Sequence, residues 1–133
     1  MNKEEQLQKE IAELEEKLWN KRAELLKLRK LKTEELRKII DSQTVVAVEE
    51  SWDCHSGSGT NLSGRLTPEA VEYVKRVMGE LPHLEEVLDT AILYEDGSFE
   101  LMSADPNPDF GTLERHEVKV NVGEIVDELL RKA

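Results

Sequence analysis

Along the first forty residues, apolar side chains recur at Leu7, Ile11, Leu14, Leu18, Leu25 and Leu28, in alternating four- and three-residue steps. Lys21 stands where the series would place one further apolar member. That spacing is the seam of a heptad repeat and predicts a coiled-coil-like helix. Residues 1–40 hold no Gly or Pro, and Glu, Lys, Leu and Arg all favour helix. A single helix over residues 3–41 would be roughly 58 Å long at about 1.5 Å per residue. A helix this polar is stable only when its apolar face is packed. A second apolar set, Trp19, Leu26 and Ile40, flanks the seam, and Leu31 and Leu36 widen it. The breadth predicts either a bundle of several helices or packing of the helix's second half on its own domain. Trp19 is read as an oligomer contact, with a partner-binding anchor as the alternative.

After Asp41-Ser42-Gln43 the pattern changes. Thr44 to Val48 reads as a buried strand. Residues 52–66 (WDCHSGSGTNLSGRL) have no periodicity and read as a Ser/Gly-rich loop. Thr67-Pro68-Glu69 is a helix start, and Ala70, Val71, Val74, Val77 and Met78 then share one face up to Gly79. Pro82 opens a short turn carrying Leu84, Val87 and Leu88. Asp96-Gly97 predicts a two-residue type I′ hairpin that pairs Tyr94 with Phe99 and Ile92 with Leu101. Residues 105–111 form a loop of turn residues. Alternation at His116, Val118, Val120 and Val122 predicts a half-buried strand. Asn121 with Glu124 resembles a capping box for a last helix carrying Ile125, Val126, Leu129 and Leu130. The expected fold is α+β: a long N-terminal helix, residues 1–41, followed by an acidic domain, residues 42–133. That domain is expected to be a two-layer sandwich with a mainly antiparallel four-stranded sheet.

Charge divides the chain at the same place. Residues 1–40 carry eleven Lys/Arg and nine Asp/Glu, whereas residues 41–133 carry seven and twenty. A domain so acidic excludes general phosphate-backbone binding and disfavours anionic membranes. It suits a basic protein surface, or mimicry of nucleic acid in a basic groove. Within the helix, residues 1–20 are net acidic and residues 21–38 net basic. A parallel pair would oppose Glu10 with Glu15 and Lys17 with Arg22, so antiparallel self-pairing is favoured. Cys54 is the one cysteine, which rules out an intrachain disulfide and suits a reducing, cytoplasmic setting. No signal-like or membrane-spanning apolar run is present.

Candidate chemistry concentrates in residues 52–66. Trp52, Ser56, Ser58, Thr60, Asn61, Arg65 and Thr67 offer an aromatic face, hydroxyls, an amide and a cation beside a helix N-terminus. That set suits a small anionic, nucleotide-like ligand or a partner protein. It is not a P-loop, because no Lys follows the glycines. Cys54 and His55 are the residue types of a thiol nucleophile and its base. Neighbours on an extended chain point apart, so Cys54 would need His116 or His83 instead. His116 itself reads as a hydrogen-bonded core histidine. No zinc-ligand spacing occurs, and Asp105, Asn107 and Asp109 lack the glycine of a calcium loop. No metal or cofactor is therefore expected. The chain reads as a non-enzymatic homo-oligomer that binds a ligand or partner. An acidic interaction or inhibitor module is the alternative, and a Cys-dependent hydrolase ranks third.

Overall fold

The computed structural model describes residues 2–54, 57–104 and 112–133. The chain is α+β, with a long N-terminal helix and a six-stranded antiparallel sheet. Helix α1 spans Lys3–Leu28, capped by the Asn2 side chain accepting from the Glu5 N–H at 2.7 Å. A second helix, α2, spans Thr33–Asp41. The single helix expected over residues 3–41 is thus broken between them. No helix breaker causes this; burial does. Leaving the line of α1 lets Leu36 and Ile40 enter the core, where both are fully buried. The basic residues Lys27, Arg29, Lys30 and Lys32 at the end of α1, and Glu34 and Glu35 at the start of α2, suit the two helix termini.

Strand β1 is Thr44–Cys54 and β2 is Gly57–Arg65. Helix α3 is Pro68–Met78. Strands β3 (His83–Glu85), β4 (Asp89–Leu93), β5 (Ser98–Ala104) and β6 (Thr112–Asn121) follow, and α4 is Val122–Lys132. The sheet order is β3-β4-β5-β2-β1-β6. The two strands beyond the expected four are β2, where a loop was expected, and β3, where a turn was.

Capping follows the sequence closely. Thr67 caps α3, and its hydroxyl donates to Gln43 Oε1 at 2.6 Å. Gly79 closes α3 in the left-handed conformation, φ 82°. Asn121 accepts from the Glu124 N–H at 3.0 Å and donates to the Asp41 carbonyl at 2.9 Å, tying the end of α2 to the start of α4.

One cross-strand row holds Ala47, Gly64, Phe99 and Leu93, and the next holds Leu62, Leu101 and Ala91. These side chains form a single core with Ile40 of α2, Ala70, Val71 and Val74 of α3, and Val122, Ile125, Val126 and Leu129 of α4. The β4–β5 hairpin differs from expectation by one residue: Leu93 faces Phe99 and Ala91 faces Leu101. A type I′ turn needs positive φ at both central residues, and of Asp96 and Gly97 only Gly97 has it. Tyr94 N–H donates to Ser98 O at 2.8 Å and Gly97 N–H to Tyr94 O at 2.9 Å. The loop is therefore three residues, Glu95 to Gly97, ending in a glycine bulge. Because strand faces alternate, that one residue puts Tyr94 outside.

Arg37 clamps α2 to α4, donating to both Asp127 oxygens at 2.8 and 2.9 Å and to Asp41 at 2.9 Å. Hydrogen bonding from Arg37 is the main cause holding the Asp127 carboxyl below its usual pKa. A depressed folded pKa stabilises above the unfolded value and is lost as pH falls through the folded one. Asp127→Asn is expected to cost less than about 1 kcal/mol at neutral pH, since an ion pair this open is well screened. The gap from wild type should narrow as pH drops below the carboxylate range, as urea titrations at both pH values would report.

Candidate functional site

Most of the expected loop is paired strand: residues 52–54 end β1 and residues 57–65 form β2, with Trp52 opposite Gly59, Ser51 opposite Thr60, and Glu50 opposite Asn61. Strand β2 also pairs with β5, Thr60 with Ser103 and Asn61 with Met102. Pairing on both sides holds a run of residues whose own strand propensity is low. Two close approaches explain the glycines. A Cβ at Gly59 would collide with the Trp52 ring, and one at Gly64 would lie 3.2 Å from Phe99 and 3.3 Å from the Ala47 backbone.

The proposed ligand residues do not converge. Trp52 lies across Gly59, six residues along β2 from Arg65, or roughly 20 Å at about 3.3 Å per residue. Arg65 donates to Glu16 Oε2 and to the Asp96 carbonyl, both at 2.7 Å, and stacks over Trp19 with 4.7 Å to the ring centroid. Thr67 is buried as the α3 cap, between buried Leu66 and Pro68, so this helix N-terminus is closed to solvent. Asn61 Oδ1 and Arg65 Nη2 are buried and find no hydrogen-bond partner among the described residues. Ser58 is paired opposite Asp53 and Thr60 is exposed. Ser56 and His55, and residues 105–111, lie outside the described residues.

Cys54 and the two described histidines, His116 and His83, occupy separate places in the sheet. His116 pairs in register with Glu49, five positions from Cys54 along β1, or roughly 16 Å at about 3.3 Å per residue. His83 sits on β3 at the opposite edge of the sheet. His116 shares the strand face of Val118 but is not a core residue: half exposed, its Nε2 is 3.1 Å from Glu49 Oε1. Beside it, a groove of about 300 Å³ runs between Thr60, Ser103, Ile125, Arg131 and Lys132. No group of three His, Cys, Asp or Glu that could hold a metal occurs among the described residues. Nor is any of their helices long and apolar enough to cross a membrane.

The arm presents a sharper division. Trp19 turns onto its own domain, donating Nε1–H to the Leu66 carbonyl at 2.9 Å. Arg22 grips both oxygens of Glu69 at 3.0 and 2.9 Å, and Leu26 is buried. A cavity of about 420 Å³ remains between α1 and α3, lined by Trp19, Lys27, Val71, Glu72 and Lys75. On the other side of the same helix, Leu7, Ile11, Leu14, Leu18, Leu25 and Leu28 are 49–81% exposed. The domain thus takes one stripe of α1 and leaves the heptad seam open. The sequence located that seam but missed the clamp, since nothing local links Arg22 to Glu69 or Trp19 to Leu66.

No protein-family model, curated protein or solved structure matches the chain.

Proposed function

We propose that this protein is a homo-oligomeric, non-enzymatic binding protein whose copies join through the heptad seam of α1 in coiled-coil fashion. One observation carries the reading: six apolar residues at heptad spacing stay exposed while the other apolar stripe of the same helix is docked. Apolar surface of that length on one helix is a helix-pairing surface. The charge order of the arm favours an antiparallel pair. The domain then offers the paired ends of β1 and β2 to a partner, with Thr60 and its neighbours as the polar contact surface. A small anion is the weaker form of this reading, because Arg65 is already held by Glu16 and the Asp96 carbonyl.

Sedimentation equilibrium at micromolar concentration tests the assembly. Wild type is expected to sediment as an oligomer, and Leu14→Asp to raise the dissociation constant at least about a hundredfold, since a seam that buries Leu14 must then bury a carboxylate. A monomeric wild type sinks the proposal.

A second reading has its own support. Glu80, Glu85 and Glu86, around the β3 edge, are exposed and form no ion pair among the described residues. An acidic edge of this kind suits a basic protein surface, with affinity that falls as salt rises. A partner bound equally well at low and high salt would exclude it.

A further inference from the structure

Taking the open seam of α1 as the assembly surface, the reading above, we infer that α1 pairs antiparallel with a second copy of this chain over residues 3–24 alone. In this register Ile11 packs against the partner's Leu14 and Leu7 against the partner's Leu18. By two-fold symmetry these contacts repeat, giving a run of apolar layers with no polar residue inside it.

The flanking charges select this register. Antiparallel coiled coils bring like heptad positions at the edges of the seam face to face. With Ile11 at position a, the facing pairs are Glu10 with the partner's Lys17 and Lys3 with the partner's Glu24. At each end of the apolar run, Lys21 meets the partner's Glu4. Lys21, the one polar interruption of the heptad series, thereby closes the seam instead of breaking it. Each of these pairs is attractive and occurs twice. A full-length antiparallel overlap, with Leu7 against the partner's Leu25, does the opposite. It sets Lys21 against Ile11, Glu10 against Glu24, Lys17 against Lys17 and Glu15 against Glu15.

The structure leaves this half of the helix available. The domain holds α1 through Glu16, Trp19, Arg22 and Leu26, which all lie off the seam. Leu14 and Leu18 are 64% and 60% exposed, and the Lys21 and Glu24 side chains 78% and 67%. The basic half of the arm is unavailable as one long partner surface. Arg22 belongs to Glu69, Arg37 belongs to Asp127, and the helix ends at Leu28. Lys17 and Lys21 stay exposed, Lys21 pairing only with Glu24 of its own helix at 3.6 Å, and this register turns both toward acids of the partner.

The test uses the full chain carrying Cys54→Ser, with Glu10→Cys and Lys17→Cys prepared as separate, differently tagged proteins. After mixing and exchange, a short bismaleimide should link one Glu10→Cys chain to one Lys17→Cys chain, at least about tenfold over either like pair. Lys17→Cys chains linking to each other would overturn the register in favour of full overlap, as would an oligomer showing no preferred link. A charge swap gives a second readout without cross-linking. Glu10→Lys should weaken the dimer roughly tenfold, since two attractive pairs of a few tenths of a kcal/mol turn repulsive. Adding Lys17→Glu should restore it. Full overlap predicts tighter pairing from Glu10→Lys, because that residue would then face Glu24. A monomeric parent protein overturns the assembly itself, whereas an oligomer with the wrong links overturns only the register.

Discussion

Ile40→Ala is expected to lower the unfolding free energy by about 3–4 kcal/mol, at the upper part of the range for aliphatic truncations in cores. Ile40 has no exposed surface. It joins residues of α3, α4 and the sheet in one cluster. Three surrounding elements cannot all close on the space it leaves, so the cavity cost adds to the lost transfer energy. The melting temperature should fall by roughly 10–15 °C for a chain of this size. Val46→Ala serves as the comparison: Val46 is 55% exposed on β1, and its loss should stay within about 0.5 kcal/mol. Urea titration followed by far-ultraviolet circular dichroism would report both. A loss below about 1 kcal/mol for Ile40→Ala would mean that α2 is not docked as described.

That experiment also bears on what the amino-acid pattern hides. Ile40 and Leu36 lie near the heptad stripe of a segment with high helix propensity throughout, so local reasoning carries the helix straight through residues 29–32. The break is a tertiary effect: two fully buried side chains outweigh a few residues of unformed helix. The signal present in the chain is electrostatic, a basic cluster at 27–32 followed by Glu34 and Glu35, and it is faint beside the propensity. Helix ends that rest on local chemistry were legible for the opposite reason. Thr67, Gly79 and Asn121 each satisfy their own helix within four residues, whatever the rest of the chain does.

Strand β2 reads as loop on similar grounds. Ser, Gly, Thr and Asn are turn formers, but from Gly57 to Gly64 each residue lies opposite one of β1, and from Gly59 each also faces β5. The missing Cβ of Gly59 and Gly64 is what lets Trp52, Phe99 and Ala47 close over the strand. Composition that looked like a binding loop is therefore explained first as packing. The same holds for Arg65. It works inside the chain, joining Glu16 and Trp19 of α1 to the β4–β5 turn. The seam residues Leu7 to Leu28 stay exposed, and they are the surface proposed for assembly.

Gly97→Ala should be the most disruptive small substitution outside the core, costing about 2–4 kcal/mol and loosening α1 from its domain. Gly97 has φ 88°, a conformation that costs any L side chain on the order of 1–2 kcal/mol. Space is the second obstacle. A Cβ there would lie 2.6 Å from the Leu66 carbonyl oxygen and 3.0 Å from the Trp19 ring. That carbonyl is the acceptor for Trp19 Nε1–H, and the Leu66 N–H donates to the Gly97 carbonyl at 2.7 Å. The turn, the start of α3 and the arm thus meet at one point. Gly79→Ala isolates the conformational part, because Gly79 has φ 82° and nothing within 4 Å of its Cβ position. It should cost on the order of 1–2 kcal/mol and leave the arm in place. In a Trp52→Phe background, Trp19 emission reports docking directly: Gly97→Ala should shift it to the red, and Gly79→Ala should not. Equal losses of stability with unshifted emission would show that the close approach carries no weight. Loosening the arm leaves the seam of α1 intact, so Gly97→Ala should still assemble. A variant that lost both docking and assembly would instead mean that the domain orients α1 for its partner.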